Sequence, residues 1–70
     1  MDHKMFKALR NYHGYSQKSY GELLGVSESN IALIENGKRN ITYAMKTKIA
    51  RHFEITPEFL EFLERMEALE

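Results

Sequence analysis

Cysteine is absent from this chain of 70 residues. Its absence removes disulfides, thiolate zinc sites and cysteine nucleophiles together, and fits a reducing compartment. Tryptophan is also missing, and proline occurs once, at Pro57. With only four glycines and 43% hydrophobic residues, the composition excludes collagen-like, low-complexity and disordered classes. No apolar run approaches the roughly 18 residues of a membrane span. The opening Met1-Asp2-His3-Lys4-Met5-Phe6 lacks the apolar stretch of a secretory signal. A chain this short buries only about 60–65% of the surface its unfolded form exposes. The expectation is one small, soluble, cytoplasmic domain over residues 1–70.

Net charge is lacking too, at zero, which alone counts against a polyanion partner. Its distribution points the other way. Up to Arg51 there are nine basic residues against four acidic ones, and after it Arg65 stands alone against six glutamates. A basic body carries an acidic tail. Such an asymmetry fits ordinary solvated helix faces and a nucleic-acid-binding surface equally well.

What is present is helical periodicity, with no alternating strand pattern, no repeat and no linker. Met5, Phe6, Leu9 and Tyr12 share a face over Asp2–His13, and Gly14 stops that helix. Ser16 can cap a second helix with Tyr20, Leu23 and Leu24 inward, ending at Gly25. Ser27 caps a third, Glu28–Glu35, with Ile31 and Ile34 inward and Asn36-Gly37 at its end. Thr42 begins a fourth, carrying Met45, Ile49, Ala50 and Phe53. Thr56-Pro57-Glu58 is the strongest start signal, a capping threonine followed by proline and an acid in the first turn. The fold class is all-α, with five helices.

Residues 16–36 carry the specific signal. Two short helices joined by a tight turn at Gly25, with the small Gly21 where they cross, make a helix-turn-helix. Val26, Ile31 and Ile34 anchor the third helix, leaving Glu28, Ser29, Ala32 and Leu33 on another face, which in such motifs meets the DNA major groove.

Tyr15-Ser16-Gln17, Leu23-Leu24-Gly25-Val26-Ser27, Ile31 and Ile34-Glu35-Asn36-Gly37-Lys38-Arg39 together resemble the Cro/CI-type (XRE-like) helix-turn-helix family. That family comprises phage repressors, Cro proteins and small bacterial regulators. The likeness runs from about Leu9 to Leu60, and its force lies in the order and spacing of all the pieces. It implies a compact lambda-repressor-like domain in a bacterial or phage-encoded regulator. Two positions depart from the family pattern. Tyr20-Gly21 stands where Leu-Ala is usual, and Ile41 where a proline often follows the basic loop. Glycine within a helix costs about 1 kcal/mol against alanine, which predicts a weaker second helix.

The resemblance assigns Gln17 to a phosphate, at the start of the second helix. Glu28, Ser29, Asn30 and Leu33 are the base-reading candidates: a glutamate can accept from a cytosine amino group, and a leucine can press a thymine methyl. Asn36, Lys38, Arg39 and Asn40 form a loop suited to the DNA backbone. Arg10 and Glu35 are expected as a structural pair that orients the third helix, with Arg10 also able to reach a phosphate. Lys4, Lys7, Lys18, Lys46, Lys48 and Arg51 read as solvated surface. His3, His13 and His52 have no metal-ligand spacing, and the serines Ser16, Ser19, Ser27 and Ser29 have no base beside them, so neither a metal site, a cofactor nor an enzyme is expected.

The last helix, about 57–69, offers Phe59, Leu60, Phe62, Leu63, Met66 and Leu69. The body can bury Phe59, Leu60 and Leu63, leaving an apolar patch of the kind monomers seldom keep. Phe62, Leu63, Met66 and Leu69 are therefore the dimerisation candidates. A homodimer would read a pseudo-palindromic operator with recognition helices ~34 Å apart. The leading expectation is a Cro-like repressor. The alternatives are a protein-interaction module, such as an antirepressor or assembly factor contacting a partner through the acidic helix, and an antitoxin.

Overall fold

Each helix begins where a short polar side chain can replace the missing turn of backbone. In the computed structural model, which describes residues 1–70, the elements are α1 (His3–Tyr12), α2 (Gln17–Leu24), α3 (Glu28–Glu35), α4 (Tyr43–His52) and α5 (Pro57–Leu69). Asp2, Ser16, Ser27, Thr42 and Thr56 are the five N-caps. Each accepts from the amide three residues on, at 2.8, 3.0, 3.1, 3.2 and 3.1 Å. Such caps contribute about 1 kcal/mol each. Asp2 is thus a cap before α1 and not its first residue. At α2 the box is closed, since the Ser16 amide also donates to the Ser19 hydroxyl at 2.9 Å.

The helices of 8 to 13 residues are too short to persist alone. They are held by one core of Phe6, Ala8, Leu9, Tyr20, Leu24, Ile31, Ile34, Met45, Ile49 and Phe59. Of the residues expected inward, Met5, Leu23, Val26, Phe53 and Leu63 are partly buried against it, while three are exposed, Tyr12 among them at 39%. Ala50 is exposed. Leu60 is 44% exposed, because α5 turns Phe59 and Leu63 towards α1 and carries Leu60 out of the contact. Phe62, expected on an open patch, is half-buried against that core, as is Leu63, and the Tyr12 ring lies 5.1 Å from Phe62 and 5.4 Å from Phe59.

Tyr20 fills the place of the usual leucine without stranding its hydroxyl. Its ring is fully buried 5.0 Å from Phe6, and the hydroxyl donates to the Phe6 carbonyl at 3.3 Å. Burial, with the Glu35 charge added, pushes this phenol above its ordinary pKa, so it stays neutral.

Gly21 is the small residue where α2 crosses α3, as expected from the sequence. A Cβ at this position would lie 2.6 Å from the Val26 carbonyl oxygen and 3.4 Å from the Ile31 side chain. The close crossing of α2 and α3 therefore requires glycine, and the Val26 amide also donates to the Gly21 carbonyl at 2.9 Å. Between them Gly25, at φ 75, makes the left-handed turn that an ordinary residue adopts only under strain. Lys48, read from sequence as solvated, donates to the Leu24 carbonyl at 3.1 Å and so closes the end of α2.

Gly21→Ala tests this crossing. The gain in helix propensity is about 1 kcal/mol, but pushing a carbonyl away in a packed corner costs about 1–3 kcal/mol. The variant should melt below the parent in a thermal scan monitored by circular dichroism. A higher melting temperature would mean that the two helices separate freely.

Candidate nucleic-acid interface

The third helix is presented by a buried charge. Glu35 is 7% exposed, and its carboxylate accepts from Arg10 Nε at 2.7 Å, Arg10 Nη2 at 3.1 Å and Gln17 Nε2 at 3.2 Å. Arg10 Nη1 donates onward to the Tyr15 carbonyl at 2.9 Å. One carboxylate therefore ties α1, the turn before α2 and the first residue of α2 to the last residue of α3. Arg10 and Glu35 are paired as expected, and the guanidinium is spent on protein acceptors, with its side chain 13% exposed. Gln17, expected to face outward, has its amide nitrogen turned to Glu35, leaving its Oε1 and second amide hydrogen free. The signal missed was a long-range one, eighteen residues apart.

With one end of α3 anchored, its other side is open. Glu28, Ser29 and Leu33 are exposed, and Asn30 is half-buried. Ser29 Oγ lies 3.3 Å from the capping Ser27 Oγ, while Glu28 makes no hydrogen bond or ion pair within the chain. Asn30 is differently placed from the others: its Oδ1 accepts from Arg39 Nη1 at 3.0 Å. It braces the basic loop against the helix.

That loop leaves α3 by a Schellman turn. The Gly37 amide donates to the Ile34 carbonyl at 3.0 Å and the Lys38 amide to the Leu33 carbonyl at 2.9 Å, with Gly37 at φ 74. Asn36, Lys38, Arg39 and Asn40 all emerge exposed beside the open face of α3. From Arg39 to Ala44 the backbone amides then find no acceptor in the protein, a run of six ending in the first turn of α4. Unpaired amides, the positive end of a helix and two cationic side chains combine into a local attraction for anions. Sequence reading reached the side chains of this loop but not its amides.

No group of three His, Cys, Asp or Glu residues is placed to hold a metal ion. No helix is long and apolar enough to cross a membrane.

A short helix capped by Ser27, crossed by α2 at a glycine and left with one polar face open, is the arrangement of a DNA-binding helix-turn-helix regulator. Residues 6–60 match the helix-turn-helix family, of the XRE type, and the chain belongs to it. It is 36% identical over 58 residues to an uncharacterized HTH-type transcriptional regulator, YgzD, of Bacillus subtilis (strain 168). That match covers 83% of this chain and 88% of the relative. No solved structure matches the chain.

The Arg10–Glu35 pair yields a stability test. Arg10→Met leaves a buried carboxylate without its main partner and should cost about 3–5 kcal/mol. Arg10→Met combined with Glu35→Leu should cost much less, because no charge is stranded. Urea denaturation of the three chains measures the difference. Equal losses in the single and double variants would show that side-chain shape, and not charge, holds this corner.

Proposed function

We propose that this chain is a sequence-specific transcriptional regulator, a Cro-like repressor that reads a pseudo-palindromic operator as a homodimer. The observation that carries the reading is the open face of α3 beside the loop of free amides and cations. Glu28, Ser29 and Leu33 are open to base edges, and Lys38, the Arg39 donors not given to Asn30 and the amides of Arg39–Ala44 are open to phosphates. Asn30 acts mainly by holding Arg39, and Gln17 offers a phosphate its remaining amide hydrogen. Asn36 and Asn40 extend the backbone contact. Dimerisation uses α5, on which Phe62, Leu63 and Met66 are half-buried and Leu69 stays exposed.

The HTH-type regulator of Bacillus subtilis supports the regulatory role by likeness over nearly its whole length. A second reading, a protein-interaction module with the same fold, draws on the six glutamates after Arg51 and the zero net charge. Selection of bound duplexes from a random pool separates the two. A palindromic consensus supports the regulator, and no enrichment at any salt concentration overturns it.

Replacing Lys38 and Arg39 with alanine should weaken all duplexes alike and lower the slope of log K against log salt by about 2. An unchanged slope would remove the loop from the contact. Glu28→Ala with Ser29→Ala touches neither the cap nor the core, so stability should stay within about 0.5 kcal/mol. Base preference at one or two operator positions should relax by about 1–3 kcal/mol each. Competition binding with single-base operator variants reads this directly. Full retention of preference would place the reading surface elsewhere.

A further inference from the structure

Between α1 and α5 runs a groove lined by Lys4, Lys7, Asn11, Leu63, Met66 and Glu67, with Ala8 and Glu70 completing it. The two helices are antiparallel there: Tyr12 at the end of α1 meets Phe59 and Phe62 early in α5, and Lys4 lies by Met66, Glu67 and Glu70. Its floor is apolar and only half covered, since Leu63 and Met66 are both half-buried. Leu60, 44% exposed, continues the face of Leu63, Glu67 and Glu70 at helical spacing. One wall is basic and the other acidic. Lys4, Lys7, Glu67 and Glu70 make no ion pair within the chain, whose ion pairs are Arg10–Glu35 and Glu61–Arg65.

We infer that this groove is the homodimer contact, taken by the same groove of a second copy about a two-fold axis running along it. The inference rests on the homodimer reading and specifies its surface. In a two-fold contact every pairing occurs twice, once in each direction. With the axis along the groove, the basic wall of one copy faces the acidic wall of the other. The antiparallel course of the helices then sets Lys4 against Glu70 and Lys7 against Glu67, four pairs in all, over the Leu60, Leu63 and Met66 side chains of both copies. With the axis across the groove, lysines would meet lysines and glutamates glutamates. Charge thus selects one of the two orientations, which is the main service of rim charges at an interface. The exposed residues of α3 and the 38–44 loop take no part in the groove and stay available. Leu69 also lies outside it, so the contact shifts from the Leu69 side of α5 to the Leu60 side.

Sedimentation equilibrium on three chains tests this: the parent, Lys4→Glu/Lys7→Glu, and Glu67→Lys/Glu70→Lys. All four positions are exposed, and circular dichroism verifies that each variant folds. Each variant alone should dimerise at least tenfold more weakly than the parent. An equimolar mixture of the two should recover association, because acidic walls then meet basic ones on both sides. A parent that dimerises while the variants match it, or a mixture that stays monomeric, overturns the groove and leaves the homodimer reading intact. A parent that is monomeric both free at high micromolar concentration and on the selected duplex overturns the homodimer itself along with the groove.

Discussion

A single buried carboxylate governs how α3 is presented. Glu35 is reached by Arg10 from α1 and by Gln17 from α2, while Arg10 also holds the Tyr15 carbonyl. A charged pair in this position adds little net stability, because desolvation offsets most of the attraction. Its effect is on alternatives: any shift of α3 against α1 or α2 strands a buried charge, at a cost of several kcal/mol. Apolar contacts from Ile31 and Ile34 are far less selective, since hydrophobic packing of roughly the right volume tolerates displacement. The core holds α3 down, and the ion pair fixes where it lies.

Charge is organised locally, and the zero total conceals it. At physiological salt a charge is screened over about 8 Å, whereas the molecule extends 28 × 25 × 20 Å. A phosphate at the 38–44 loop therefore responds to Lys38, Arg39 and the nearby amides more than to glutamates along the outer face of α5. Those glutamates still lower the attraction of the whole domain for polyanions at low salt. The consequence is a domain whose non-specific affinity is restrained, so that a larger share of binding must come from contacts that depend on base identity.

The features legible in the sequence were those governed by near neighbours. Four of the five caps, the stop at Gly14, the turn at Gly25 and the Thr56-Pro57 start depend on residues within one turn of one another. The inward residues Phe6, Leu9, Tyr20, Ile31, Ile34, Met45 and Ile49 followed from periodicity alone. What escaped was set by distant partners. Gly21 was legible as the small residue of a helix crossing, but the contact that demands it was not: the Val26 carbonyl lies 2.6 Å from where its Cβ would stand. Lys48 and Gln17 each bond across eighteen or more residues, and Leu60 faces outward because α5 turns Phe59 and Leu63 to the core in its place. Propensity describes the chain against water; these positions answer to other helices.

Within α3 the two demands of a reading head are separated by position. Glu28 and Glu35 are the same residue type at the two ends of one short helix, yet the side chain of the first makes no bond within the chain and the second has its carboxylate filled by three donors. An 8-residue helix has no independent stability to distribute between them. Rigidity must enter from the Ile31, Ile34 and Glu35 side, and the proposed base reading falls to the Glu28, Ser29 and Leu33 side. Because the two sets share no partner, their energetic effects are close to independent. Under the proposed function, residues on the open face can therefore change the sequence that is read without loosening the surface that reads it, whereas a change at Glu35 alters every contact the helix makes.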